Sequence, residues 1–168
     1  MNRFFYEKSS SYQGYLIIPF LLAKLSGEFI YSYSLLSSQG YDDEFHKAKN
    51  PAGICSTTLT GMIEIAQEHL NQYSVNLKED DYFEQRYTYQ GTLIIIHRQG
   101  KRCSYEHYPS HELRNIAAPT LFLNPDSCID WIKKRLARRQ VQFYSLEGCV
   151  SICMLRILCT KKKKLSFV

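Results

Sequence analysis

The chain repeats itself. Tyr12-Gln13-Gly14-Tyr15-Leu16-Ile17-Ile18 recurs as Tyr89-Gln90-Gly91-Thr92-Leu93-Ile94-Ile95, with six of seven positions identical. A phrase that returns with its surroundings constrains architecture more than any single residue does, because each copy must suit the same local structure. Both copies lead into a Gly-containing turn, a Tyr-bearing run and an amphipathic stretch. The expected fold is therefore α+β: internally duplicated β-β-α units forming an antiparallel sheet of about four strands, with two helices on one face.

Residues 14–22 read as a strand, although their apolar residues are continuous rather than alternating. Ser26-Gly27-Glu28 is a turn signal, and residues 28–36 then alternate with the period of two of a half-buried strand. A long connection containing Asn50-Pro51-Ala52-Gly53 follows, with Ser56 or Thr57 as the expected helix cap. Leu59, Met62, Ile63, Ala66 and Leu70 fall on one helical face. In the second unit, residues 91–98 and 102–108 read as strands around Gln99-Gly100-Lys101. Asn124 caps a helix with Pro125 in its first turn and Ile129, Ile132 and Leu136 as its stripe. Residues 1–11 read as a loose N-terminus. The boundaries are one domain over residues 1–140, made of repeats at about 12–73 and 87–140, and a Cys-rich basic extension over 141–168.

Charge separates along the same line. The net charge is +5, but residues 1–132 hold 11 basic and 15 acidic residues, whereas residues 133–168 hold 10 basic residues and one acid, Glu147. An acidic body with a basic tail lacks the even basic coat of a nucleic-acid-binding surface. The six cysteines form no C-x-x-C, so no zinc framework is expected, and the reading is a reducing, cytoplasmic compartment. The apolar run at residues 15–23 does not suit a signal peptide: Pro19 interrupts it, Glu7 precedes it and no A-x-A site follows. No run reaches the length of a spanning helix.

Chemistry-bearing residues are sparse. The densest run is Tyr105-Glu106-His107-Tyr108-Pro109-Ser110-His111-Glu112. His97, Glu106, His107 and His111 are the candidate acid–base group, because imidazoles and carboxylates exchange protons near neutral pH. Pro109 prevents a continuous helix through both histidines, so their spacing does not place them on one helical face. No nucleophile or oxyanion donor accompanies them, and neither a metal site nor a cofactor is expected. Tyr31, Tyr33 and Tyr105 are candidates for stacking nucleic-acid bases, and Lys161, Lys162, Lys163 and Lys164 for contacting phosphates. The Asn50-Pro51-Ala52-Gly53 and Asn115-Ile116-Ala117-Ala118-Pro119 segments sit in similar places before the two helices and read as connections that aim each helix rather than as loops shaping a ligand groove near the helix N-termini.

No motif assigns the chain to a characterised family. The leading reading is a non-enzymatic binding module that engages a protein partner through its open sheet face or pre-helix loops. Nucleic-acid binding by tail and tyrosines is the alternative, and a small hydrolase or metal-dependent enzyme around His97 and His107 the second. An unpaired sheet edge would also let two copies join. The nucleic-acid reading expects the full chain to bind mixed-sequence nucleic acid with an affinity that falls steeply with salt, and a 1–140 truncation to lose it. Fluorescence anisotropy across a salt series reads both.

Overall fold

The computed structural model describes residues 3–73 and 82–138; the basic extension, with Lys161 to Lys164, lies outside them. The chain divides into two compact units, Met1–Asn124 and Pro125–Val168. The first contains two three-stranded antiparallel sheets. Sheet 1 has β1 (Ser10–Tyr12), β2 (Tyr15–Leu25) and β3 (Glu28–Ser37) in that order. Sheet 2 has β4 (Arg86–Tyr89), β5 (Thr92–Gln99) and β6 (Arg102–Tyr108) in that order. Between them runs α1 (Leu59–Tyr73). In the second unit, residues 125–138 are helical. The mixed α+β class is as expected, but the expected single sheet of about four strands is instead two sheets facing each other.

The extra strands come from residues just before the repeated phrase. In both copies Gln-Gly forms a two-residue turn with two positive φ angles: Gln13 and Gly14 at 49° and 76°, Gln90 and Gly91 at 51° and 71°. Two left-handed residues in succession give the turn whose twist matches antiparallel strands. The tyrosine before each turn therefore folds back to pair with the residue after it, Tyr12 with Tyr15 and Tyr89 with Thr92. β1 and β4 are three and four residues long, too short to announce themselves by periodicity.

One core joins the sheets. Leu16, Ile18, Phe20 and Leu36 of sheet 1 meet Leu93, Ile95 and Tyr108 of sheet 2, with Phe4, Tyr6, Phe83 and Leu113 filling the margin. The opposite face of sheet 1 carries Tyr15, Ile17, Tyr33 and Leu35, which pack on Met62, Ala66 and Leu70 of α1. The first half of β2 is thus covered on both faces, and so it is apolar at every position instead of every second one. Pro19 fits because β1 has already ended at Ser10, opposite Ile17. Its missing N–H costs no ladder bond, and its carbonyl accepts the Phe5 N–H at 2.9 Å. Beyond a register shift at Leu21/Ala23 the β2–β3 hairpin leaves the core, exposing Leu22, Leu25 and Phe29.

The outer edges of β3 and β6 are closed by the segments that follow them. Lys47 and Asn50 donate to Leu35 and Tyr33, and Tyr31 exchanges both backbone bonds with Ser56. Along β6, Ile116 donates to His107, and Cys103 exchanges both bonds with Phe122. A tyrosine anchors each segment: the Tyr33 hydroxyl accepts the Ala52 N–H at 3.3 Å and the Tyr105 hydroxyl the Ala118 N–H at 2.9 Å. α1 is capped one residue later than expected, by Thr58, whose Oγ1 accepts the Gly61 N–H at 3.1 Å. Residues 3–11 are not loose. Phe4 and Tyr6 are in the core, and the Tyr6 hydroxyl donates to the Pro109 carbonyl at 2.7 Å.

Truncating the shared core should be costly. Ile95→Ala is expected to lose roughly 2–5 kcal/mol, whereas Leu25→Ala at the exposed hairpin tip should stay within about 0.5 kcal/mol. Urea midpoints of the two variants check the contrast.

Candidate functional site

Side chains alternate across a strand, so Ser104, Glu106 and Tyr108 of β6 share the face turned toward sheet 1, and Cys103, Tyr105 and His107 take the other. His97 stands opposite Ser104 and Ile95 opposite Glu106, which puts His97 on the inner face as well. The core is apolar at Leu93 and Tyr108 and turns polar along the strand pair. Glu106 lies at that change, with its side chain 22% exposed and that of His97 19%.

Four groups converge there. The Tyr82 hydroxyl donates to Glu106 Oε1 at 3.0 Å, and the Tyr108 hydroxyl to Oε2 at 2.7 Å. His97 Nε2 is 3.4 Å from Oε1, a separation that makes an ion pair when the ring is protonated and only a weak hydrogen bond otherwise. The rings of Tyr82 and His97 lie against each other, centroids 4.3 Å apart and tilted by 35°. Burial pushes the Glu106 carboxyl up, but donors from His97, Tyr108 and Tyr82 outweigh it and hold the group below the usual carboxylate range. Burial, reinforced by the charge of Glu106, drives both phenols well above theirs. The resting state is therefore an ionised carboxylate held by two protonated phenols. The reach of that charge extends to His46 in the loop after β3: burial and then Lys47 lower that imidazole, and Glu106 opposes them.

The cluster opens on a pocket of about 650 Å³ lined by Tyr82, Glu84, Gln85, His97, Arg98 and Glu106, with Ser104 and Gln99 on its wall. Gln85 Oε1 is buried there without a hydrogen-bond partner. A second pocket, of about 510 Å³, lies between Pro51, Ala52 and Ile54 and the α1 residues Ile65, His69 and Tyr73. The Asn50–Gly53 loop thus borders a cavity, along the helix rather than at its N-terminus.

The candidate acid–base residues divide. His97 and Glu106 are together. His107 points to the opposite face of sheet 2, is 7% exposed, and receives Ile116 on its backbone carbonyl. His111 is exposed beside Ser110, its Nδ1 3.4 Å from the Ser110 hydroxyl. A group containing both Glu106 and His107 is ruled out by strand alternation. Tyr33 is fully buried and Tyr105 nearly so, each with its hydroxyl bonded to the following segment, so neither ring has a face for a base; Tyr31 is half-buried. Among the described residues no three His, Cys, Asp or Glu side chains gather as metal ligands, and no hydroxyl is hydrogen-bonded to the His97 ring.

Sequence reasoning missed Tyr82 and Gln85, which precede β4 and are distant in the chain from the Glu106 run. A signal existed. Tyr82 stands seven residues before the second repeated phrase, where Phe5 stands before the first. No protein-family model matches the chain, and neither a curated protein nor a solved structure is similar to it.

The lowered Glu106 acidity has a sign that can be measured. The folded state binds this proton less readily than the unfolded chain, so its stabilisation is complete above the usual carboxylate range and is lost as pH falls through the folded value. Glu106→Gln should therefore show a shallower loss of stability on acidification than the parent, read from urea midpoints at several pH values.

Proposed function

We propose that the protein is a non-catalytic binding module, built from a duplicated strand–strand–strand–helix unit, which holds its ligand in the pocket at Glu106. Support for duplication lies in register. Leu16 pairs with Leu36 as Leu93 pairs with Tyr108, and Pro19 with Tyr33 as Ile96 with Tyr105. The two tyrosines so matched make the same hydroxyl bond to an alanine N–H. The apolar stripe of α1, Met62, Ala66 and Leu70, has its counterpart in Cys128, Ile132 and Leu136 of helix 125–138, four residues apart in both.

One observation carries the functional reading. Matched by register and by spacing from the repeated phrase, the positions of Tyr82, His97, Glu106 and Tyr108 correspond to Phe5, Phe20, Ser34 and Leu36 of the first copy. In the first copy Phe20 and Leu36 lie in the shared core and Ser34 is buried, while the half-buried Phe5 ring lies against Tyr31. The second puts a charge, an imidazole and two phenols there. A desolvated carboxylate is a poor way to stabilise a core, and the matched positions Phe20, Ser34 and Leu36 carry none. The polar set is retained for what it binds. Neither phenol is poised to attack, since both are held protonated, so recognition rather than turnover fits the chemistry. A protein partner that presents a donor group, in a cytoplasmic setting, suits this reading, in which Cys55 and Cys103 stay as thiols.

Making the second copy resemble the first tests it. A variant carrying Tyr82→Phe, His97→Phe, Glu106→Ser and Tyr108→Leu is expected to fold with stability between unchanged and about 1–4 kcal/mol higher. A loss of several kcal/mol in chemical denaturation would make the cluster structural and remove the reason for assigning a ligand to it.

A further inference from the structure

The ligand class follows from charge and donor bookkeeping in the Glu106 pocket, and the inference rests on the binding reading above. The carboxylate is ionised, largely withdrawn from water, and has one ion-pair neighbour among the described residues, the titratable imidazole of His97 at 3.4 Å. Arg86, the nearest arginine in sequence to Gln85, is committed elsewhere: its guanidinium donates to the Phe83 carbonyl at 3.0 Å and to the Ser9 carbonyl at 3.5 Å. Of the lining residues, Glu84 adds a second carboxylate, and Gln85 holds an amide oxygen that is buried without a partner. Arg98 is the opposing cation, and it is exposed to solvent. The Tyr82 ring, already against His97, forms an aromatic side of the cavity.

Such a lining sets two carboxylates, Glu106 and Glu84, against one exposed arginine, Arg98. A carboxylate that keeps its charge while losing water needs a cation or several donors. An unsatisfied amide oxygen needs a donor too. A tyrosine face attracts a cation placed over it. An anion would meet Glu106 and Glu84, and a neutral group would leave the charge of Glu106 without a full counter-charge, since Tyr82 and Tyr108 donate hydrogen bonds to it but carry none. We infer that the pocket takes an organic cation, an alkylammonium or alkylguanidinium group, which donates to Glu106 and Gln85 and lies along Tyr82. The same group occurs on a free small amine and at the end of a lysine or arginine side chain, and the volume of about 650 Å³ admits either.

The test uses the full chain and isothermal titration with four probes: n-butylammonium, N-ethylguanidinium, their neutral isosteres n-butanol and N-ethylurea taken as one class, and butyrate. Saturable binding of a cation at least about tenfold tighter than its isostere is the expected result, with butyrate silent. Glu106→Gln, confirmed as folded by its unfolding transition, should weaken the cation about tenfold or more. Gln85→Met should weaken it less, and Glu28→Gln at the far hairpin tip should leave it unchanged. A short peptide with a central arginine or lysine, run beside the free cations, separates the sources: tighter peptide binding assigns the cation to a protein side chain, equal binding to a small molecule, and both support the inference. Equal affinity for isostere and cation, with Glu106→Gln still harmful, would overturn the cation class while leaving the pocket a binding site. Cation binding indifferent to Glu106→Gln and Gln85→Met would overturn the inference by placing the ligand elsewhere. Silence from every probe class would overturn both the inference and the reading beneath it.

Discussion

Everything in the first unit depends on two central strands being pressed together. β2 and β5 each put alternate residues, Leu16 with Ile18 and Leu93 with Ile95, into one shared core. Each three-stranded sheet covers the apolar inner face of the other. The remaining features serve that contact. The Gln-Gly turns add a flanking strand to each central one. The segments after β3 and β6 close the outer edges, which would otherwise offer unpaired backbone to other chains. α1 covers the second face of sheet 1. Tyr6, buried to 2%, ties the margin by reaching the Pro109 carbonyl.

On the duplication proposed above, the Glu106 cluster is a local departure in side-chain chemistry. Where sheet 1 presents Phe20 and Leu36 to the shared core, sheet 2 presents His97, Glu106 and Tyr108 along β5 and β6. The scaffold tolerates this because Tyr82 and Tyr108 donate to the carboxylate, so that with His97 they outweigh burial in the acidity of Glu106. The cluster is firmly supported: two paired strands hold His97 and Glu106, and the core holds Tyr108, so that a ligand bound there, as proposed above, would meet a pre-formed site. Such pre-organisation lowers the entropic cost of taking up a ligand.

Much of the architecture was legible because it rests on short-range chemistry. The Gly-containing turns, the alternation over residues 28–36 and the stripe from Leu59 to Leu70 each reflect a local rule, and each has its element. What was illegible depends on distant partners. β1 and β4 owe their extended form to the strand they fold back on, and residues 3–11 are ordered by contacts with residues about a hundred positions away, so composition alone suggests a loose end. The continuous apolar run in β2 looked ambiguous because double-sided burial erases the period of two. At the site, His97 and Glu106 were legible as a pair once the hairpin was assumed. His107 was misplaced with them because neighbours in sequence are on opposite faces of a strand. Tyr82 was out of reach of any local reading, since what identifies it is its correspondence with Phe5.

The ties made by Phe4 and Tyr6 also set an order on how the molecule is assembled. Phe5 is fastened to Pro19 and Phe4 to the Ser110 carbonyl, while the Tyr6 hydroxyl is fastened to Pro109. During synthesis the first sheet and α1 emerge well before residues 109–110 do. The first-made residues must therefore wait, with one half of the interface bare, until the chain has grown past sheet 2. Contacts so far apart in sequence are slow to form. The nascent half-sandwich, with Leu16, Ile18 and Phe20 uncovered, is the species that chaperones would have to shield.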